Sequence, residues 1–283
     1  MSELHRTKSR IRSVNSTRKI TKAMELVASV KLKKHQRILD NIKDYLDTLN
    51  DIVLTCFDGL KEKDMASISA FKVYQEAKKR LLIVVTSSLG LCGGYNYNIF
   101  KFMDTYYKEG DKLLIIGNQG DIHYQDPYDV DNEEKDILDR LDFAKVKTLA
   151  KMIENYYASG EYVSCELIYT SYRNSITFEP KTFTLFPLIL NKKEEDLVYP
   201  PLFEPNPKTF LEHIVPKYIE TMLYGKLAEA LVSEHASRRN AMDNATDNAT
   251  ELVDKLTLQY NKARQASITN ELIDVVAGAR AST

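Results

Sequence analysis

The sequence has no Trp, only three Cys among 283 residues, and almost no net charge, with 39 Lys+Arg against 40 Asp+Glu. Cys56, Cys92 and Cys165 stand far apart and form no C-x-x-C pair. Neither a disulfide framework nor a cysteine zinc site is indicated, and a reducing cytosol fits. No apolar run approaches the roughly 18 to 20 uncharged residues that a membrane span requires. Met1 to Arg12 alternates charge with polarity and builds no signal peptide, which predicts a soluble, unsecreted chain. In that setting the sequons at Asn15, Asn244 and Asn248 carry no glycan.

Helix breakers are missing from both ends. The first Gly is Gly59, every Pro lies between Pro127 and Pro216, and neither residue interrupts Lys226 to Ala277. Gly in a helix interior costs about 1 kcal/mol relative to Ala, and Pro about 3, so two such exclusions predict unbroken terminal helices. Ile38, Ile42, Tyr45, Leu49, Ile52 and Cys56 recur in alternating steps of four and three, the seam of a supercoiled helix. Extended backward, that frame takes in Ala28, Met24 and Val14, but also His35 and Lys31. Near the other end Met242, Ala245, Ala249, Leu252, Leu256 and Ala263 keep a similar step, with Asp243, Asp247, Glu251, Asp254 and Lys255 outside it. At about 1.5 Å per residue, terminal helices of this length reach about 80 Å or more, too far for one small domain to cover. The simplest partner for each is the other, antiparallel. The alternative is two separate amphipathic helices lying on a globular core.

The small net charge hides an asymmetry. Residues 1–37 hold eleven Lys/Arg and two acids, Glu3 and Glu25, for +9, which leaves 28 basic and 38 acidic residues, −10, downstream. One end is built to meet an acidic partner.

The middle reads as α/β. Leu81 to Val85 and Lys112 to Ile116 are short apolar runs bounded by turn signals, as buried parallel strands are, with Asn98 to Tyr107 available as a crossover helix. Cys165 to Tyr169 and Thr177 to Phe186 look like later strands around an Arg173-Asn174-Ser175 turn, and Asp136 to Ala158 supplies a flanking helix. A small open sheet is the economical fold. The loop Gly90-Leu91-Cys92-Gly93-Gly94 follows the first strand, where a phosphate cradle would sit. It is followed by Tyr95-Asn96 where a P-loop needs Lys-Ser/Thr, and G-x-G-x-x-G is unmatched, so a structural turn is the better reading. Cys92 has no His or acid near it in sequence, and a packed thiol is expected. His5, His35, His123, His213 and His235 form no close ligand pair, so solvated or capping roles are the default.

Four stretches carry a family resemblance. Arg18 to Ala28 (RKITKAMELVA), Gly90 to Asn96 (GLCGGYN), Ser233 to Ala249 with its Ser-Glu-His-Ala-Ser-Arg and Ala-Met-Asp-Asn-Ala segments, and Tyr260 to Leu272 (YNKARQASITNEL) resemble the γ subunit of F-type ATP synthase, in the right order over the whole chain. The sequence departs at Ser88-Leu89, where that family usually has Asp-Arg, and at Arg239-Asn240.

The resemblance implies an α/β fold in three parts. A long antiparallel coiled coil of the N- and C-terminal helices, residues 1–58 and 207–283, would join a central Rossmann-like open-sheet domain, 59–206. It implies a rotary shaft standing inside a ring of α and β subunits, its foot facing the ε subunit and the membrane c-ring. The chain itself would be non-catalytic, with no nucleotide or other cofactor of its own. It would sit at the cytoplasmic face of the cell membrane, held there through the complex. Rotor–stator contacts would fall on Lys22 and Met24 in the first helix and on Arg238, Arg264, Gln265 and Thr269 in the last. Glu204, in Phe203-Glu204-Pro205, resembles a foot residue near the c-ring. Whether the machine is the ordinary synthase or a diverged F1-like ATPase stays open at this point. So do two rivals, a basic coiled-coil nucleic-acid binder and a dimeric coiled-coil tether pairing through the Ile38 to Cys56 seam.

Overall fold

The computed structural model describes residues 3–58, 68–125, 128–174, 177–189, 204 and 206–281. In chain order the elements are α1 (Glu3–Asp58), β1 (Lys79–Val85), α2 (Tyr95–Tyr106), β2 (Lys112–Ile116), α3 (Asn118–His123), β3 (Asp129–Asp131), α4 (Phe143–Ala158), β4 (Tyr162–Tyr172), β5 (Phe178–Phe186) and α5 (Pro207–Ala281). They form two compact units, Met1–Ser29 with Arg238–Thr283, and Val30–Ser237.

In the second unit the strands make one sheet in the order β3-β2-β1-β4-β5. β1 pairs parallel with β2 and β4, β2 parallel with β3, and β5 closes the edge antiparallel to β4. Alternation along each strand divides the core in two. Leu81, Ile83, Val85, Leu114, Ile116, Cys165, Leu167 and Tyr169 face a cluster that includes Leu49, Val53 and Cys56 of α1, Val146, Leu149 and Ile153 of α4, and Leu211 to Leu231 of α5. Leu82, Val84, Leu113, Ile115 and Ile168 face Tyr95, Ile99 and Met103 of α2. A sheet covered on both faces explains why its strands read as unbroken apolar runs. At about 25 cal/mol per Å² of apolar surface, each fully buried Leu, Ile or Val contributes roughly 1.5–3 kcal/mol.

The terminal helices pair antiparallel within each unit. In the first, the Thr21 and Thr246 hydroxyls are 2.7 Å apart. In the second, His35 stacks on His235, Leu32 clusters with Val232 and Ala236, and Tyr218 OH donates to Asn50 Oδ1 at 3.2 Å. Positions rise along α1 as they fall along α5.

Several sequence expectations need correction. The C-terminal helix is not free of helix breakers, since α5 contains both Pro216 and Gly225. Gly225 has a steric reason to be there, since a Cβ on it would lie 3.1 Å from Leu46 Cδ1 and 3.6 Å from Ile42 Cγ2. Tyr45 and Ile52 are exposed, whereas Leu49, Val53 and Cys56 are buried and Ile42 and Leu46 partly so. Ile42, Leu46, Leu49, Val53 and Cys56 keep the same step of four and three in a shifted frame, and that is the face turned to the core. The helix expected from Asp136 starts only at Phe143, because Asp142 caps it by accepting from the Ala144 N–H at 3.1 Å. Leu252 is exposed where the C-terminal seam predicted packing.

Candidate functional site

The chain leaves β1 through α2 to β2 and β3, and returns through α4 to β4 on the other side of β1. The gap between the C-terminal ends of β1 and β4 is therefore the topological switch point, where open α/β sheets hold their ligands. Here the chain's own helix occupies it. Ser233 Oγ of α5 donates to the Thr170 carbonyl at 3.0 Å, and Ser237 Oγ donates to the Cys92 carbonyl at 2.6 Å. The receiving loop is braced from behind. Ser87 N–H donates to Asn96 Oδ1 at 3.0 Å, and Asn96 Nδ2 donates to Ser87 Oγ at 2.7 Å and lies 3.4 Å from Cys92 Sγ. Cys92 is a buried, packed thiol, as its sequence surroundings predict.

Charged groups buried elsewhere in this unit are spent on the fold. Arg80 ion-pairs with Asp111 at 2.5 Å, which raises the guanidinium pKa despite desolvation, and Tyr106 OH donates to Glu166. A cleft of about 270 Å³ beside Pro216 sets Lys147 and Lys151 against Glu154 and Glu220 over Phe186 and Ile219, with Lys147 and Glu220 4.0 Å apart. Among the described residues no three His, Cys, Asp or Glu side chains converge as metal ligands.

The residues singled out for rotor–stator contact are spread along the helices. Lys22 is half exposed and ion-paired to Glu25 at 2.5 Å. Its pKa is raised first by that bond, against desolvation, and further by Asp243 and Asp247 of α5. Met24 is partly buried. Arg264, Gln265 and Thr269 are exposed, and Thr269 Oγ1 donates back to the Gln265 carbonyl at 2.9 Å. Arg238 is only 7% exposed, the one of the six with little surface to offer a partner. At about 1.5 Å per residue it lies roughly 39 Å along α5 from Arg264, so the six form no single constellation. Glu204 is exposed, and its neighbours 201–203 and 205 lie outside the described residues.

Two features escaped the sequence reading. His35 and His235 are buried and stacked, ring centroids 5.4 Å apart, where solvated roles were expected. The outward hydroxyl bonds of Ser233 and Ser237 also went unread, although their spacing of four, one face of a helix, was available.

The family model described as ATP synthase matches residues 3–281. The chain is 36% identical to the ATP synthase gamma chain of Mesoplasma florum, over 99% of each chain. It belongs to the ATP synthase gamma chain family. It is also 33% identical, over 97% of each chain, to the Acetobacterium woodii ATP synthase gamma chain described as sodium ion specific. Among solved structures it resembles a chain of the Euglena gracilis mitochondrial ATP synthase, in its OSCP/F1/c-ring assembly, with TM-score 0.65, 16% identity and 98% and 94% coverage. A chain of the Tetrahymena thermophila central stalk and c-ring matches with TM-score 0.55, 23% identity and 80% and 99% coverage. These two structures speak to fold. They agree with the pattern seen here, paired terminal helices with an open sheet between them in sequence. No described helix is long and apolar enough to cross a membrane.

Proposed function

We propose that this chain works as the central rotary shaft of an F1-type ATP synthase, turning inside a ring of α and β subunits, with its foot toward the ε subunit and the c-ring on the cytoplasmic face of the membrane. The observation that carries the reading is the end of α5. Beyond Leu256 no described residue is buried, yet Leu258, Ile268, Leu272, Ile273, Val275 and Val276 stand exposed. Single exposed apolar residues are ordinary, but a run of them along one end of a helix marks an interaction surface. In a chain whose relatives are gamma chains over their full length, the fitting partner is the surrounding ring.

The shaft is non-catalytic in this scheme. ATP, ADP and phosphate stabilise different β-subunit conformations, each of which binds one face of an asymmetric shaft best, so the chemistry shifts the preferred angle by differential affinity. Lys22 and Met24 on α1, and Arg264, Gln265 and Thr269 on α5, would make and release the contacts as angles change. Glu204 is the corresponding foot residue toward the c-ring.

The purified chain should neither bind nor hydrolyse ATP, and adding the matching α and β subunits should yield an ATPase whose mass holds one copy of it. Tight ATP binding by the chain alone overturns the reading. For the contacts, Gln265→Leu and Arg264→Ala should each leave the melting of the free chain within about 0.5 kcal/mol, since both side chains are exposed. A charge-assisted bond contributes about 1.5–3 kcal/mol, so turnover of the assembled complex should fall by about tenfold to a hundredfold at most. Loss of assembly in step with activity would show that these residues only hold the complex together.

A further inference from the structure

Thr221, Thr246, Thr250 and Thr257 of α5 each bond back to the carbonyl four residues earlier, at 2.7 to 2.9 Å. That is the default for a hydroxyl inside a helix. Ser233 and Ser237 do the opposite and donate outward, to the end of β4 and to the loop after β1. They also continue a row. Lys226 Nζ donates to Tyr169 OH at 2.9 Å, and Glu229 Oε1 accepts from Ser171 Oγ at 2.7 Å and from the Tyr172 N–H at 3.1 Å. Glu229 Oε2 in turn takes Lys226 Nζ at 3.3 Å. Burial works against the Lys226 ammonium, but Tyr169 and Glu229 outweigh it and hold its pKa above the ordinary lysine value.

Residues 226, 229, 233 and 237 fall at steps of three and four, one stripe of a helix. Each of the four bonds to β4 or to the loop after β1, at the edge where this sheet architecture elsewhere keeps its ligand. The same helix packs its apolar residues Leu223, Leu227, Ala230 and Leu231 against the core. Apolar packing alone is non-directional and lets a helix roll or slide a little at small cost. Hydrogen bonds to fixed backbone atoms are directional and set both roll and axial register. A stripe of buried and partly buried polar groups stabilises a fold little in net terms, because each bond replaces one to water.

We propose that Lys226, Glu229, Ser233 and Ser237 form a torsion-bearing joint that fixes α5 against rotation about its own axis relative to the sheet. This rests on the shaft reading. The joint occupies the ligand crevice, where the helix uses the Thr170 and Cys92 carbonyls as anchor points. The motif Ser-Glu-His-Ala-Ser then serves torque transfer, and Gly90 to Gly94 is the socket that receives it.

The test uses the complete chain assembled with its α and β subunits. Cys56, Cys92 and Cys165 are all buried, so a Lys101→Cys substitution on the exposed side of α2 gives one reactive position for a rotation probe. With the ring immobilised and the motor stalled, Ser233→Ala/Ser237→Ala should widen the angular spread of the probe, while unloaded ATP turnover and assembly yield stay within about twofold of wild type. Hydrogen exchange of the free chain should rise at the amides of 92–96 and 170–172, on the order of fivefold for each bond lost. Ser237→Thr, which keeps the hydroxyl, should restore the narrow spread. If the double variant fails to assemble, the single Ser237→Ala carries the same comparison. An unchanged angular spread overturns the joint, as does a Thr variant that behaves like the Ala variant. Failure of the wild-type chain to form a rotating ATPase with α and β would instead overturn the shaft reading itself.

Discussion

His35 is a residue whose environment departs from its sequence surroundings. It follows Lys31 and Lys34 on α1 and stacks on His235 of α5, and its Nδ1 has no hydrogen-bond partner among the described residues. Burial, with Lys34 and Lys31 adding, lowers its pKa to about 4. Below pH 6.5 the unfolded chain takes up a proton that the folded chain refuses. Stability is therefore full above pH 6.5, falls by about 1.4 kcal/mol per unit as the pH drops toward 4, and levels off below. Denaturant titrations of wild type and His35→Leu should diverge across that window, the variant gaining up to about 3 kcal/mol on wild type. Parallel curves would show that the site is open to water. A reading by sequence spacing misses such a pair, because 200 residues separate two rings that only tertiary packing stacks. The outward turn of Ser233 and Ser237 is hidden likewise, since an internal Ser hydroxyl is equally at ease bonding its own helix.

At the scale of elements, legibility followed the apolar pattern. β1, β2, β4 and β5 were readable because both sheet faces are covered and their cores are runs of Leu, Ile, Val, Phe and Tyr. β3 was not, since Asp129-Val130-Asp131 carries no such signal and owes its place to backbone pairing with β2. The pairing of the terminal helices was legible in kind, while the seam frame between Ile38 and Cys56 was not, because two overlapping frames keep the same step. Pro216 is a conflict left standing within α5. A proline inside a helix removes one hydrogen bond and crowds the preceding turn, at about 3 kcal/mol against alanine. Pro216→Ala should therefore raise stability by about 1–3 kcal/mol, or the melting temperature by roughly 2–4 °C per kcal/mol. A lower melting temperature would mean that packing of the ring beside Phe186 and Ile219 outweighs the lost bond.

For the whole molecule the net charge of −1 is uninformative, and its distribution is not. A segment of +9 at one end and −10 elsewhere should steer assembly with an acidic partner surface. The screening length shrinks from about 30 Å at 0.01 M salt to about 8 Å at 0.15 M, so the association rate with α and β should fall on the order of tenfold across that range. A rate insensitive to salt would remove steering from the account. The fold class and the family were legible because the helix-forming ends and the four quoted stretches are local features. The proposed contact residues come from the resemblance alone, since nothing in the chain's own apolar pattern singles them out. The antiparallel pairing also bears on how the protein is made. Asn50 waits 168 positions for Tyr218 to be synthesised. At about 5–20 residues per second that is roughly 8 to 34 s in which Leu49, Val53 and Cys56 have been translated without the α5 residues that cover them. The face of α1 that carries these three residues thus stays uncovered on the nascent chain until α5 is made, a wait that packing against the sheet alone does not end.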